Sequence, residues 1–184
     1  MASSAAIASP GGHTPDGGVL VGHESARRRL VLFEDPQCPY CRQFEQVSGD
    51  LLRREVAAGA VAVEYRMRSF LGVESVRADN ALALAAESGR FDQLRSQVFA
   101  HQPAEQSGGF TNADLIDLGQ RAGLTNPDYQ LGVREGRYQQ WVIETERAFA
   151  DQDPQGTPAA LLDGQPVGPE VLYDPAQLGA LIRG

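Results

Sequence analysis

The stretch Phe33-Glu34-Asp35-Pro36-Gln37-Cys38-Pro39-Tyr40-Cys41-Arg42 constrains this chain more than any other. A strand-like run ends in it, a helix-like run starts in it, and it holds both cysteines of the whole sequence. Residues i and i+3 of a first helical turn lie on one side, so the two sulfurs can close a small disulfide and reopen it. Cys38 falls at the helix N-terminus, where free backbone N–H groups and the positive end of the helix dipole favour a thiolate over a thiol. It is therefore the expected nucleophile, exposed and with a depressed pKa. Cys41, one turn deeper and better shielded, suits the resolving role.

Three plainer readings compete. A zinc site needs about four ligands, yet there is no second cysteine pair, and His13, His23 and His101 are scattered without ligand spacing. A purely structural disulfide would close so short a loop that it removes little unfolded-chain entropy. Two inert buried cysteines fit poorly with Pro39, which is well placed at a first helical turn and marks an exposed helix start.

The rest of the chain reads as alternating elements. Val19 to Val21 is a short β-prone piece expected at a sheet edge. Arg29 to Glu34 is apolar on both faces until it reaches the cysteines, the pattern of a central strand. A helix follows over Pro39 to Ala58, with Phe44, Val47, Leu51, Leu52 and Val56 on its apolar side and Gly59 as a stop. Ala60 to Met67 is a second core strand. This βαβ unit places the cysteines at the C-terminal end of its first strand, where sites in parallel sheets belong. Helices are then expected over Ser75–Glu87, Phe91–Ala100, Ala113–Arg121, Asp128–Arg137 and Gln139–Ala150, with Thr111 and Asn112 capping the third and Gly136 a weak point between the last two. The sheet resumes at Ala159–Asp163, turns at Asp163-Gly164 and returns over Gln165–Val167. Asp174 and Pro175 open a last helix whose buried face carries Leu178, Leu181 and Ile182.

A length of 184 residues suits one domain, or a small domain with an insertion. The expected division is a flexible leader over 1–18, rich in Ala, Ser, Gly and Pro, a βαβ part over 19–71, a helical insertion over 72–153 and a ββα part over 154–184. A net charge of −8 argues against nucleic acid or an anionic membrane surface as partner. No secretory signal pattern or membrane-spanning run is visible.

A core strand, Cys38-Pro39-Tyr40-Cys41, a helical insertion and a late Gly156-Thr157-Pro158 before a β-hairpin together resemble the DsbA-like thiol-disulfide oxidoreductases of the thioredoxin superfamily. The resemblance runs from Val19 to the C-terminus. It implies an α/β thioredoxin fold with a helical insertion between the βαβ and ββα halves. It also implies a cis bond before Pro158, with Thr157 offering its backbone to an extended substrate beside Pro39 and Tyr40. The implied activity is disulfide exchange with reduced or unfolded protein substrates through a redox-active Cys38–Cys41 disulfide. No further cofactor and no metal is implied, and a redox partner, of the membrane-oxidase kind, would reset the disulfide. A monomer working in the cell envelope is expected, although no export signal is visible and a cytoplasmic setting stays open. The alternatives are a glutaredoxin-like reductase using a small thiol and a redox-inactive binding module.

The sequence departs from that family in two places. Members carry a buried acid six residues before the first cysteine, where this chain has Leu32. Strand faces repeat every two residues, so Glu34 lies on the same face one step nearer the motif and is the candidate proton acceptor for Cys41. Asp35 should face the other way and anchor the loop. The second departure is Pro39-Tyr40 in place of DsbA's Pro-His, which implies a less strongly oxidising disulfide. The insertion helices, with Trp141 as a candidate contributor, are expected to add an apolar groove beside the cysteines.

Overall fold

A computed structural model of the protein describes residues 12–152 and 156–184. Five strands form one sheet in the order β1-β3-β2-β4-β5, made of β1 (Val19–Val21), β2 (Arg28–Glu34), β3 (Val61–Met67), β4 (Ala159–Leu162) and β5 (Gln165–Val167). β2 and β3 run parallel, joined by helix α1 (Pro39–Ala57), and the other pairings are antiparallel. β2 is central because it can be buried on both faces: Leu30, Leu32 and Phe33 are all fully enclosed. β1, short and paired with β3 as its one neighbouring strand among the described residues, is an edge.

Register decides where the cysteine motif meets the rest of the chain. Phe33 of β2 is opposite Ala159 of β4 in an antiparallel ladder. Continuing that ladder past Phe33 carries residues 157 and 158 alongside the loop that leaves β2 and enters α1. The β4–β5 hairpin is closed by Asp163 and Gly164, both at positive φ, as a two-residue hairpin turn requires. Asp163 is held there by accepting from the Arg29 backbone N–H at 2.8 Å.

Between β3 and β4 lie five helices: α2 (Val73–Glu87), α3 (Phe91–Ala100), α4 (Asn112–Arg121), α5 (Pro127–Glu135) and α6 (Gln139–Ala150). α2 is the hub of this layer, packing on α3, α4, α5 and α6, and its run of Ala78 to Ala86 is buried because small residues let four neighbours approach. Thr111 is the N-cap of α4, bonded reciprocally with Asp114, whereas Asn112 lies inside the helix. Gly136 ends α5 in the left-handed conformation and separates it from α6.

Several expectations need correction. Val47 and Leu181 are exposed, since the buried stripes run through Phe44, Ser48, Leu51 and Leu52 in α1 and through Leu178 and Ile182 in the last helix, α8 (Pro175–Arg183). A short helix, α7 (Pro169–Leu172), precedes α8 and was not evident in the sequence. Residues 12–18, read as part of a flexible leader, fold onto the body: His13 bridges Val19 and its ring meets Trp141 edge-on at 4.5 Å. The leader's residues 1–11 and the end of the insertion at residue 153 lie outside the described residues.

One buried group lacks compensation. Asp79 of α2 is 4% exposed, and neither carboxyl oxygen has a hydrogen-bond partner. Burial, with Asp35 and Glu146 adding to it, pushes its pKa well above the carboxylate range. The folded chain therefore holds a proton there that the unfolded chain releases at acidic pH, so this residue lowers stability progressively as pH rises above about 4. Asp79→Leu is expected to stabilise the protein by about 1–3 kcal/mol at neutral pH, with a smaller gain in acid. Chemical denaturation at several pH values measures both.

Candidate active site

β2 delivers the chain into a loop, Asp35 to Gln37, and Cys38 is the N-cap of α1 with extended backbone. Pro39 at the first helical position has no N–H to leave unsatisfied and is exposed. The loop is anchored as expected of Asp35. Its carboxylate accepts from the backbone N–H of Gln37 (2.9 Å) and Leu71 (3.1 Å) and from the Ser75 hydroxyl (2.6 Å). Burial nonetheless raises the Asp35 pKa to about 6.

Both cysteines are present as free thiols. Cys41 is fully buried, and Cys38, expected to be exposed, is only 5% accessible. The correction has a tertiary cause: Phe99 of α3 and Leu71 of the β3–α2 loop pack on the sulfur pair, and the Thr157–Pro158 segment lies on its other side. The Cys38 thiol donates to the Thr157 carbonyl oxygen at 3.3 Å. The Thr157–Pro158 peptide bond is cis, the geometry that the family resemblance implied.

The two thiols are displaced in opposite directions. Cys38 is lowered to about 6, first by a hydrogen bond from Cys41, opposed by burial, and further by the backbone N–H groups of Cys41 and Tyr40. Cys41 is raised well above the ordinary thiol value, first by burial, then by that same bond to Cys38 and by the negative charge of Glu34. One proton is thus shared asymmetrically: the outer sulfur gives it up and the inner one keeps it.

Glu34 does lie within electrostatic reach of Cys41, but it has a partner that the sequence did not suggest. Arg95 of α3, itself 1% exposed, grips both oxygens of Glu34 at 2.7 Å and reaches Glu45 of α1 at 2.6 Å. Its guanidinium also stacks against Tyr65 at 4.5 Å and Phe99 at 5.1 Å. Burial pushes the Glu34 carboxyl up and Arg95 pulls it back. An arginine on an amphipathic helix, far along the chain from the cysteines, gave no local signal of this contact.

Tyr40 of the motif (63% exposed) and Phe70 and Val73, which flank Leu71 in sequence, are apolar side chains left exposed. Trp141 is not among them and packs on the core beside His13. Two polar side chains hold the motif's backbone, a third ties the motif to the β3–α2 loop and α2, and all three were also missed. Tyr173 donates to the Tyr40 carbonyl at 3.0 Å, Gln102 donates to the carbonyls of Pro36 (2.7 Å) and Cys38 (3.0 Å), and Gln37 donates to Leu71 and Ser75. Among the described residues no group of three or more His, Cys, Asp or Glu side chains could hold a metal ion.

A parallel βαβ unit, a redox-type cysteine pair at a helix N-terminus, a facing cis-proline and an intervening helical layer define a thioredoxin-fold protein of the DsbA-like kind. The thioredoxin family profile matches residues 14–183, and the chain belongs to that family. The thiol:disulfide interchange protein DsbA of Salmonella typhimurium is 28% identical over 139 residues, which cover 74% of this chain and 66% of that protein. Among solved structures, reduced disulfide bond oxidoreductase DsbG from Mycobacterium tuberculosis superposes with a TM-score of 0.80 at 26% identity, covering 92% of this chain and 88% of that one. Reduced DsbA from the same organism gives 0.78 at 25% identity, covering 90% of each chain.

Two measurements follow from this geometry. Alkylation of the reduced protein should label Cys38 before Cys41, with a rate that rises through a midpoint near pH 6. The folded pKa is depressed, so Cys38 stabilises the reduced protein fully only above the unfolded thiol value of about 8.5. That contribution declines as pH falls and is gone below about 6. Glu34→Gln should lower the pKa of Cys41, and because it leaves Arg95 buried beside a neutral partner it should also destabilise the fold by about 3 kcal/mol. Thiol titration and denaturant melts read the two effects separately.

Proposed function

We propose that the chain is a thiol-disulfide oxidoreductase that exchanges disulfides with protein thiols, with Cys38 attacking or attacked and Cys41 resolving. The observation that carries this reading is the opposite displacement of two touching thiols at one helix N-terminus. A leaving sulfur must be stable as a thiolate, which Cys38 is. A resolving sulfur must keep its proton until the mixed disulfide has formed, which burial of Cys41 supports.

In the oxidising direction a substrate thiolate attacks the Cys38 sulfur of the Cys38–Cys41 disulfide, and Cys41 departs and takes up a proton. A second substrate thiolate then attacks the substrate sulfur of the mixed disulfide and releases Cys38 as a thiolate. The substrate loses two electrons and gains one disulfide, and the enzyme ends as the reduced pair. A partner disulfide restores it by the reverse exchange. No metal, flavin or nucleotide enters these steps.

Glu34, ionised in the grip of Arg95 or neutral when Cys41 is a thiolate, is the proposed proton acceptor for the inner thiol. Thr157 and Pro158 would hold an extended substrate segment by backbone pairing, with Pro39, Tyr40 and the Phe70–Val73 loop giving apolar contact. Such a surface favours unfolded chains, because a folded substrate does not present extended backbone next to a thiol. Having no cysteines besides the active pair suits work in an oxidising compartment outside the cytoplasm, and we propose a monomer there. No described helix is long and apolar enough to cross a membrane.

Cys41→Ala removes the resolving sulfur and should accumulate mixed disulfides between Cys38 and reduced, unfolded polypeptides, seen as adducts that a reductant dissolves. Cys38→Ser should form none. If Cys41→Ala captures only small thiols such as glutathione, the protein-substrate reading fails in favour of a glutaredoxin-like reductase.

A further inference from the structure

The end of α3 touches the cysteine motif twice. Phe99 packs on the sulfurs, and Gln102, just past the helix, turns its amide onto the motif's backbone. The amide nitrogen donates one hydrogen to the Pro36 carbonyl at 2.7 Å and the other to the Cys38 carbonyl at 3.0 Å, so it straddles Gln37. The Cys38 carbonyl already accepts the first helical bond, from the Arg42 N–H at 3.2 Å, and Gln102 fills its second lone pair.

These bonds fall where the position of the Cys38 sulfur is decided. An N-cap residue is held by its own side chain when that side chain is Ser, Thr, Asp or Asn. Cys38 offers only a sulfur, a weaker acceptor than a side-chain oxygen, so its extended backbone needs holding from outside. Its N–H is tied to the Asp35 carbonyl at 3.0 Å, and Gln102 secures the carbonyls on either side of Gln37. In this conformation the sulfur faces the N–H groups of Tyr40 and Cys41.

We propose that Gln102 is a positioning residue for the attacking thiol, through which the helical insertion sets the reactivity of Cys38. The proposal rests on the role given to Cys38 above. The bland alternative is that Gln102 merely orders the loop between α3 and α4. That loop has other anchors: Gln106 N–H to the Gln37 side chain at 2.9 Å, Gly108 N–H to Glu74 at 2.5 Å and Arg77 to the Gly109 carbonyl at 3.1 Å. A loop so pinned does not depend on a glutamine that reaches past it to the carbonyls of another element.

The test uses the full chain, reduced, and titrates Cys38 by alkylation rate and ultraviolet thiolate absorbance, which need no substrate. Failure here is therefore distinct from failure of the oxidoreductase reading, which the trapping experiment decides. Gln102→Met keeps length and volume but removes the donor. Gln102→Glu keeps the shape and turns an acceptor toward the two carbonyls. Cys41, Glu34, Asp35 and Tyr173, titratable groups that act on Cys38, are the same in both. Gln102→Met should raise the Cys38 pKa by about half a unit, a threefold loss of thiolate at a fixed pH below the pKa, and Gln102→Glu should raise it further. The equilibrium with glutathione should move toward the disulfide form by about the same factor, since a less stable thiolate makes the pair less oxidising. Glu74→Gln, which loosens the loop at Gly108 without touching the motif, should leave both values unchanged. An unaltered Cys38 pKa in Gln102→Met, or an equal shift in Glu74→Gln, overturns the proposal. If Gln102→Met does not fold, Gln102→Glu decides by the same readout.

Discussion

The structure depends on keeping a thiolate in a place with almost no water. Cys38 is nearly enclosed, and burial alone would push its pKa up, as it does for Cys41. What reverses the sign is a set of donors aimed at one sulfur: the Cys41 thiol and the N–H groups of the first turn of α1. Donors fixed in a low-dielectric site stabilise an anion more than water-exposed ones do. The rest of the fold can be read as what holds those donors still. β2 ends just before α1 begins, β4 is in register to bring Thr157 alongside, and Gln102 and Tyr173 restrain the motif's carbonyls.

Below the sulfurs sits a second concentration of charge. Arg95 binds Glu34 and Glu45 in the dry interior, and such a cluster contributes little net stability compared with apolar side chains of similar size. Its effect is on arrangement. It joins α3 to two elements fifty and sixty-one residues earlier at the contacting residues, α1 and β2, and brings a carboxylate to Cys41 with its charge matched by a guanidinium. Arg95 and Phe99 are one turn apart on α3, so the helix that supplies the counter-charge also covers the cysteines. The insertion is therefore part of the site. A thioredoxin core alone would leave Glu34 uncompensated and both sulfurs open on that side.

Much of the fold was legible because it rests on local patterns. The two-sided apolar run of β2, the Asp163-Gly164 turn, the Asp174-Pro175 helix start and Gly136 between α5 and α6 each act through backbone preference or a simple period, and each stands where it was expected. The errors also have local causes. A helical wheel counts Val47 and Leu181 as apolar, but whether they are buried depends on which neighbour arrives, and none covers them. The turn formed by residues 12–18 looks unstructured in sequence because glycine and proline carry no period, while its contact with Trp141 is purely tertiary.

In the site the division is sharper. Sequence alone determined which residues stand together at the motif and their immediate spacing: two cysteines one turn apart, a proline fixing the helix start, an acidic residue at the end of the strand before them and a Thr-Pro pair ahead of the last hairpin. Those are matters of residue type and short spacing, which the chain expresses without folding. Only the tertiary structure decided that Cys38 is enclosed, that Glu34 is held by Arg95, and that Gln102 and Tyr173 grip the motif's carbonyls. These contacts join residues some sixty to well over a hundred positions apart, and the arginine and glutamine among them are no different in type from the many that face solvent. Their roles come from position, and position across such separations is set by the packing of the whole sheet and helical layer.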